Sequence, residues 1–173
     1  MKKYLHLAFL IAFSILPSAC GFHLRGKIEL PPEMSKVYIQ AKDNRLAGQL
    51  GRGLVTSGAT IVKDMTQATA VVKIYNVSEG RNVRSVGGTG RVREYSLVYS
   101  VDFDIRDASG KIIMKRQSAS LSRDLSFNEA QVVGKSVEES IIREEMRRQM
   151  ISELLRRMQR FFQSRQRLQA TGH

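Results

Sequence analysis

This sequence of 173 residues has few of the side chains that carry enzyme chemistry. It contains one cysteine, Cys20, three histidines and no tryptophan. No second cysteine is available for thiol catalysis or for a zinc site. The histidines stand at positions 6, 23 and 173, near the ends of the chain, which disfavours a Ser-His-Asp arrangement inside a folded domain. We therefore expect no catalytic residues, no metal site and no cofactor, and predict that the chain is not an enzyme.

The sequence also lacks an apolar run long enough to span a bilayer. Lys2 and Lys3 precede an apolar stretch over residues 5–16, which is shorter than the roughly 20 residues that a transmembrane helix needs. This pattern is typical of a secretory signal peptide. Small residues then lead into Cys20, as in a bacterial lipobox, whose cysteine becomes the first mature residue and carries acyl chains.

We thus expect a lipoprotein signal peptide over residues 1–19 and lipidation at Cys20. The alternative is an ordinary signal peptide that leaves a free thiol. The residue after Cys20 is Gly21 and not the Asp that retains lipoproteins at the inner membrane. That sorting rule predicts a lipid-anchored protein on the periplasmic side of the cell outer membrane.

Acidic residues are scarce, since 16 Asp and Glu face 28 Lys and Arg, for a net charge of +12. The expected signal peptide contains two lysines and no acid, so the mature chain would keep a charge of +10. Such a charge favours a polyanionic partner. We find no motif for nucleic-acid binding and expect no such partner. The abundant polyanion at the outer membrane is lipopolysaccharide, and a solvated basic surface without a ligand is the alternative.

The remaining pattern predicts a single α+β domain. Residues 95–105 alternate between apolar and polar, which indicates a strand with one buried face, and Asp107–Gly110 is a turn signal. Helical spacing predicts a helix from Asp43 or Asn44 to about Ser57, where Gly58 stops it, and a long helix from Ser126 or Asn128 to about Arg167. The long helix carries an apolar stripe that must pack against another element; its members are Ile151, Leu154, Leu155, Met158 and Phe162. Further strands are expected at residues 37–41, 59–62, 70–77 and 111–122. The order β-α-β-β-β-β-α predicts a two-layer sandwich with both helices on one face of a mixed sheet.

Two groups of arginines are candidate binding residues. The loop Gly87–Gly90 lacks the ending of a phosphate-binding P-loop and is interpreted as a hairpin tip. Its flanking arginines have the planar donor fork that suits phosphate; they are Arg81, Arg84, Arg91 and Arg93. The alternative for this group is a solvated loop. The second group lies on the long helix and is interpreted mainly as a solvated helix face, with a role at the membrane surface as the alternative; its members are Arg147, Arg148, Arg156, Arg157, Arg160, Arg165 and Arg167.

The run Cys-Gly-Phe-His-Leu-Arg over residues 20–25 resembles the mature start of the LptE family of lipopolysaccharide-assembly lipoproteins. The strand entry Glu94-Tyr95 and the helix start around Lys135 are similar to the family pattern. The resemblance implies an outer-membrane lipoprotein that plugs the LptD β-barrel and binds lipopolysaccharide through basic residues. Lys135 matches one such position, and Arg91 is our choice for the second, with Arg84 and Arg93 as neighbours.

The resemblance also sets the expected organisation of the chain. A lipidated tether would cover residues 20–32, one LptE-like domain residues 33–168, and a tail residues 169–173. A different class of function remains as the alternative, namely a generic anchored accessory lipoprotein such as a pilotin that escorts a secretin.

Overall fold

The computed structural model describes residues 30–86, 88, 92–126 and 132–171, without the side chains of residues 92, 93, 132–135 and 171. Over these residues the chain forms five strands and two helices in the order β-α-β-β-β-β-α. The strands make one sheet, in which the strand over residues 36–40 lies between those over 60–61 and 70–86, and the strands over 92–106 and 112–126 follow in turn. This confirms the predicted α+β architecture with a mixed sheet.

The N-terminal part is a parallel strand-helix-strand unit. It consists of β1 (Lys36–Gln40), α1 (Asn44–Thr56) and β2 (Thr60–Ile61), with β1 parallel to β2. The side chain of Asp43 caps α1 by accepting hydrogen bonds from the backbone N–H of Arg45 at 2.8 Å and of Leu46 at 3.0 Å. Gly58 follows the helix with φ of +97°, a conformation that glycine adopts without strain.

The rest of the sheet is an antiparallel meander followed by the second helix. Its strands are β3 (Ala70–Val86), β4 (Val92–Arg106) and β5 (Ile112–Ser126). The helix α2 (Val132–Thr171) has 40 residues and is therefore about 60 Å long. A single-turn 3-10 helix over Met65–Gln67, capped by Asp64, joins β2 to β3.

Two strands extend well beyond their predicted ends, and one of them takes up a residue that was predicted to begin the second helix. β3 continues to Val86 and not Val77, and β5 continues to Ser126 and not Ser122. The reason is that the added residues pair with β4 as far as Val92 and Glu94. Ser126 therefore belongs to a strand and does not begin the helix, while Asn128 lies outside the described residues.

The core lies between the sheet and the helices. Leu97, Val101 and Phe103 of β4 are fully buried and form one apolar cluster with buried residues of both helices. All members of the predicted apolar stripe on α2 are in this cluster; they are Ile151, Leu154, Leu155, Met158 and Phe162. The alternation of β4 thus separates a helix-covered face from an opposite face, which we call the bare face.

The two helices approach each other closely at Gly53 of α1. A Cβ atom on Gly53 would lie 2.8 Å from Leu155 Cδ1 and 3.2 Å from Ile151 Cγ2. A side chain at this position would therefore push the helices apart or force Leu155 and Ile151 into new rotamers. The absence of a side chain at Gly53 sets the spacing of the helix layer.

Candidate functional site

The β3–β4 hairpin extends far beyond the parallel part of the sheet. β1 pairs with β3 only over residues 70–73, whereas β3 pairs with β4 up to the Val86–Val92 pair. We call residues 78–86 of β3 and 92–100 of β4 the outer hairpin. It carries three of the four arginines that the sequence singled out beside the glycine loop, namely Arg81, Arg84 and Arg93.

Glu139 of α2 fastens the outer hairpin to the helix layer. Its side chain, 14% exposed, pairs with Arg81 of β3 and accepts a hydrogen bond from Arg143 Nη2 at 2.7 Å. The hydroxyl of Tyr95 in β4 donates to the same carboxylate at 3.1 Å. The Arg81 guanidinium also lies over the Tyr95 ring, 4.4 Å from its centroid. Arg81 is thus held by an acid and a ring on the helix-covered face.

We call Glu139, Arg81, Arg143 and Tyr95 the clamp, and their contacts determine which of these groups are ionised. The hydrogen bond from Arg81 is the largest cause that lowers the pKa of Glu139 to about 2, with hydrogen bonds from Arg143 and Tyr95 acting in the same direction against burial. Burial and then the hydrogen bond to Glu139 raise the pKa of Tyr95. Glu139 is therefore ionised and Tyr95 neutral across the whole physiological pH range.

A second acid continues this network along the hairpin. Glu79 of β3 forms ion pairs with Arg143 Nη1 at 3.4 Å and with Arg147 Nε at 3.3 Å. Arg147 also pairs with Glu144 at 2.8 Å on its own helix. Two hairpin residues, Glu79 and Arg81, thus form ion pairs with α2, and this holds the outer hairpin against the first half of the helix.

Arg84 lies on the other side of the sheet. Its Nε atom is 3.4 Å from Oδ1 of Asp124 in β5, and both side chains are more than half exposed. Asp124 pairs with Ser96 of β4, which follows Tyr95 and therefore faces away from α2. An exposed pair of this kind contributes little to stability, so the guanidinium of Arg84 remains available to a ligand on the bare face.

The predicted site residues do not all meet in one described place. Arg84 faces away from the helix layer, whereas Lys135 lies in the first turn of α2 and Arg93 in β4. The side chains of Lys135 and Arg93 are outside the described part of the structure. Arg91 and Cys20 lie outside the described residues altogether. Their roles stay predictions.

Several arginines in the second half of α2 are already held in ion pairs and are not simply solvated charges. Glu153 alone pairs with Arg157 at 2.7 Å, with Arg156 at 3.2 Å and with Arg160 at 3.4 Å. Arg157 also donates a hydrogen bond to the backbone carbonyl of Ser118 at 2.7 Å, on the edge strand β5. One acid thus gathers three arginines, and one of them reaches the sheet edge.

Sequence reasoning did not identify Glu139 and Glu79 as organisers of the hairpin. The sequence does contain one indication of this role, because Glu139 and Arg143 are four residues apart on one helix, a spacing that favours an ion pair. The contacts of Glu139 with Arg81 and Tyr95 join residues 58 and 44 positions apart. Such partners become visible only when the fold is known.

No helix in the described part of the chain is both long and apolar enough to cross a membrane.

The order of elements, the long outer hairpin and the basic surface can be compared with known proteins. Residues 34–158 match the sequence model of the family described as "LptE: Lipopolysaccharide-assembly". The chain belongs to the LptE family. The match covers both helices and all five strands apart from the end of α2.

Individual relatives agree with this. The chain is 30% identical over 155 residues to the LPS-assembly lipoprotein LptE of Photorhabdus laumondii, a match that covers 88% of this chain and 84% of that protein. It is similar in structure to lipoprotein B of Nitrosomonas europaea, with a TM-score of 0.73, 31% identity, and coverage of 83% of this chain and 93% of that one. Rare lipoprotein B of Shewanella oneidensis, at 23% identity and a TM-score of 0.59 over 78% of this chain and 96% of that one, shares the fold.

Membership in the LptE family confirms three predictions from the sequence. The protein has a role in lipopolysaccharide assembly, it is a lipoprotein of outer-membrane assembly, and it acts as an accessory protein rather than an enzyme. The family resemblance drawn from residues 20–25 and from the element order is confirmed as well.

Proposed function

We propose that this LptE-family protein is a lipid-anchored subunit that plugs an LptD-type β-barrel in the outer membrane and binds lipopolysaccharide for insertion at the cell surface. The observation that carries the proposal is the family match over residues 34–158. In this proposal residues 1–19 are removed, residues 20–32 form the tether, residues 33–168 form the domain, and residues 169–173 are a tail.

The anchor is acylated Cys20, which holds the domain at the periplasmic side of the outer membrane. More than one acyl chain is needed for stable anchoring. We expect the Cys20→Ala variant to accumulate as unprocessed precursor without acyl label, as measured by metabolic labelling with a fatty acid and by mass spectrometry. Cleavage of the unaltered protein without acylation would contradict the anchor.

The exposed edge of the sheet supports a partner that encloses the domain. β5 is an edge strand of 15 residues. Within the described residues, the backbone of β5 accepts one side-chain hydrogen bond, from Arg157 to the carbonyl of Ser118. A long open edge invites pairing with other chains unless it is covered. The wall of a barrel lumen would provide this cover.

Co-purification tests the partner. A tagged full-length protein, extracted in mild detergent, should bring down a large outer-membrane β-barrel of the LptD type in equal amount. Recovery of a secretin instead would support the pilotin-like alternative, and recovery of no barrel would contradict the plug.

Lipopolysaccharide binding is assigned to Arg91 and Lys135, with weaker contributions from Arg84 and Arg93. The weak, exposed pair of Arg84 with Asp124 supports the availability of that guanidinium. A charge-assisted hydrogen bond is worth about 1.5–3 kcal/mol, so truncating one main contact to Ala should weaken binding roughly ten- to a hundred-fold.

The test compares the full-length protein with the Arg91→Ala, Lys135→Ala double variant at two salt concentrations. Arg52→Ala is the matched control, because Arg52 is an exposed arginine on α1. Equal binding by the double variant and the unaltered protein would remove the site assignment. Loss of all binding at moderate salt would indicate diffuse attraction by the basic surface without a defined site.

A further inference from the structure

A group of cations and one tyrosine occupies the bare face at the end of the sheet away from the outer hairpin. The group consists of Lys73 and Tyr75 of β3, Asp104 and Arg106 of β4, and Arg116 of β5; we call it the Tyr75 cluster. None of these residues is among the predicted site residues. The cluster lies where both strand pairings are interrupted, since the register shifts between Ile74 and Asn76 in β3 and between Phe103 and Ile105 in β4.

The two irregularities explain how the cluster forms. A β-bulge changes the direction of a side chain and is common next to binding sites. Tyr75 is the extra residue in the β3–β4 pairing, and Arg116 lies in the irregular stretch of the β4–β5 pairing. The bulges bring a tyrosine from one neighbour of β4 and an arginine from the other onto the same place above Asp104.

Asp104 fixes the geometry of the cluster from below. It is 2% exposed, and its Oδ2 atom accepts hydrogen bonds from the Tyr75 hydroxyl at 2.6 Å and from Arg106 Nη2 at 3.0 Å. Arg106 Nη2 also donates to the Tyr75 hydroxyl at 2.6 Å. The hydroxyl is therefore both donor and acceptor, and these two bonds hold the phenol end of Tyr75 in place beside Asp104.

Two further cations approach this fixed ring. The guanidinium carbon of Arg116 is 3.5 Å from the ring centroid, and the Lys73 ammonium is 5.1 Å from it. A guanidinium stacked in this way keeps its N–H donors directed outward in the plane of the group. Within the described residues, neither Arg116 nor Lys73 has a carboxylate within ion-pair distance.

The charge of the cluster is not balanced. Arg106 is neutralised by Asp104, but Arg116 and Lys73 bring two positive charges to one ring. Asp102 is the next acid on this face of β4, and it lies opposite Asn76 and Ser118. An anion with two charges and several acceptor oxygens would satisfy both cations.

We propose that the Tyr75 cluster is an anion-binding site for a phosphate group, in which Arg116 supplies a bidentate contact, Lys73 a second charge, and Tyr75 with Asp104 the rigid support. The ligand can be a free phosphate or a phosphate group on a glycolipid. The glycolipid source rests on the proposed function, whereas the site itself does not. A structural role, in which Arg116 only shields the ring, is the alternative that the test must separate from binding.

The experiment titrates the full-length protein in detergent with inorganic phosphate and follows the backbone amide signals of Tyr75, Arg106 and Arg116 by NMR. We expect saturable shifts at these residues and a roughly ten-fold weaker affinity in Arg116→Gln, because a charge-assisted bidentate contact is lost. Arg116→Lys should be weakened as well, since it keeps the charge but not the planar fork. Arg52→Gln, with the same loss of charge on α1, should bind like the unaltered protein.

A second pair of measurements separates this site from the proposed function. The same variants are titrated with lipopolysaccharide and with lipopolysaccharide from which the phosphates have been removed. If phosphate shifts the cluster in an Arg116-dependent way while lipopolysaccharide does not bind, the site stands and the proposed function fails. If lipopolysaccharide binds but neither ligand depends on Arg116 more than on Arg52, the site is overturned.

Folding of the variants is checked by circular dichroism and urea unfolding. Lys73→Gln is the second variant, because Lys73 makes no hydrogen bond within the cluster, and its loss leaves the support of Tyr75 intact. If Lys73→Gln and Arg116→Gln both fold and both bind phosphate as Arg52→Gln does, the cluster has only a structural role and the proposal is wrong.

Discussion

The Glu139→Gln substitution tests whether the clamp between α2 and the outer hairpin depends on charge. The amide side chain would keep the size of the original one and could still accept a hydrogen bond, but it would lose the negative charge that pairs with Arg81 and Arg143. The change therefore removes the ion pairs with little effect on packing.

The size of the effect follows from the pKa of Glu139, which falls from 4.5 to about 2 in the folded protein. Such a shift corresponds to roughly 3 kcal/mol as an upper limit. Because the Arg81 side chain is 52% exposed, solvent screening reduces this, and we expect about 1–2 kcal/mol.

The sign of the pH dependence follows from the direction of the shift. A carboxyl group whose pKa is lowered on folding contributes stability above its unfolded pKa and loses it as the pH falls through its folded pKa. The free energy of unfolding of the unaltered protein should therefore exceed that of Glu139→Gln by about 1–2 kcal/mol at neutral pH. The two free energies should converge as the pH falls from 4.5 towards 2.

Urea unfolding followed by circular dichroism, at neutral pH and at several acidic pH values, measures this difference. Glu145→Gln is the matched control, because Glu145 is an exposed acid on the same helix whose described contact is a hydrogen bond from Gln149. Its stability should follow that of the unaltered protein at every pH. Parallel loss of stability in the unaltered protein and in Glu139→Gln would refute the reasoning.

Three further predictions concern the fold, and each is measured by urea unfolding at neutral pH. Gly53→Ala should destabilise the protein by about 1 kcal/mol, because the new Cβ meets Leu155 and Ile151. Gly48→Ala should instead stabilise it by about 0.5–1 kcal/mol through helix propensity, because its new Cβ would make only an ordinary contact with Arg52 at 3.9 Å. Equal effects of the two substitutions would contradict the close helix contact. Asp43→Ala should cost about 1 kcal/mol by removing the cap of α1, and no loss would mean that the cap contributes nothing. Phe103→Ala should cost about 3–5 kcal/mol, because Phe103 is fully buried, and a loss below about 1 kcal/mol would place it outside the core.

The parts of the fold that local pattern controls were predictable from the sequence. Alternation over residues 95–105, interrupted only at Val98, identified β4 and its buried face, because one side of that strand packs against the helices and the other does not. Asp43 and Gly58 marked the two ends of α1 through cap chemistry. The apolar stripe from Ile151 to Phe162 located the buried side of α2.

The parts that depend on distant partners were not predictable. The outer half of β3, beginning at Ser78, is polar and mostly exposed, so it carries no apolar alternation, and it is a strand because β4 pairs with it. Ser126 resembles a helix cap in sequence but pairs with Glu94. The Tyr75 cluster depends on two register shifts, and no local pattern encodes the register of a sheet.

The pairing of β1 has a consequence for the order in which the protein folds. The meander of β3, β4 and β5 forms through hairpins between neighbours in the chain, whereas the contact of Lys36 with Thr69, beside the β1–β3 pairing, spans 33 residues. Closing the longer loop costs more entropy and slows the step that needs it. Because β2 pairs with β1 and not with the meander, β1, α1 and β2 are expected to join the meander as one unit, late in folding. The apolar side of α1, with Leu46, Leu50 and Leu54, stays uncovered until then.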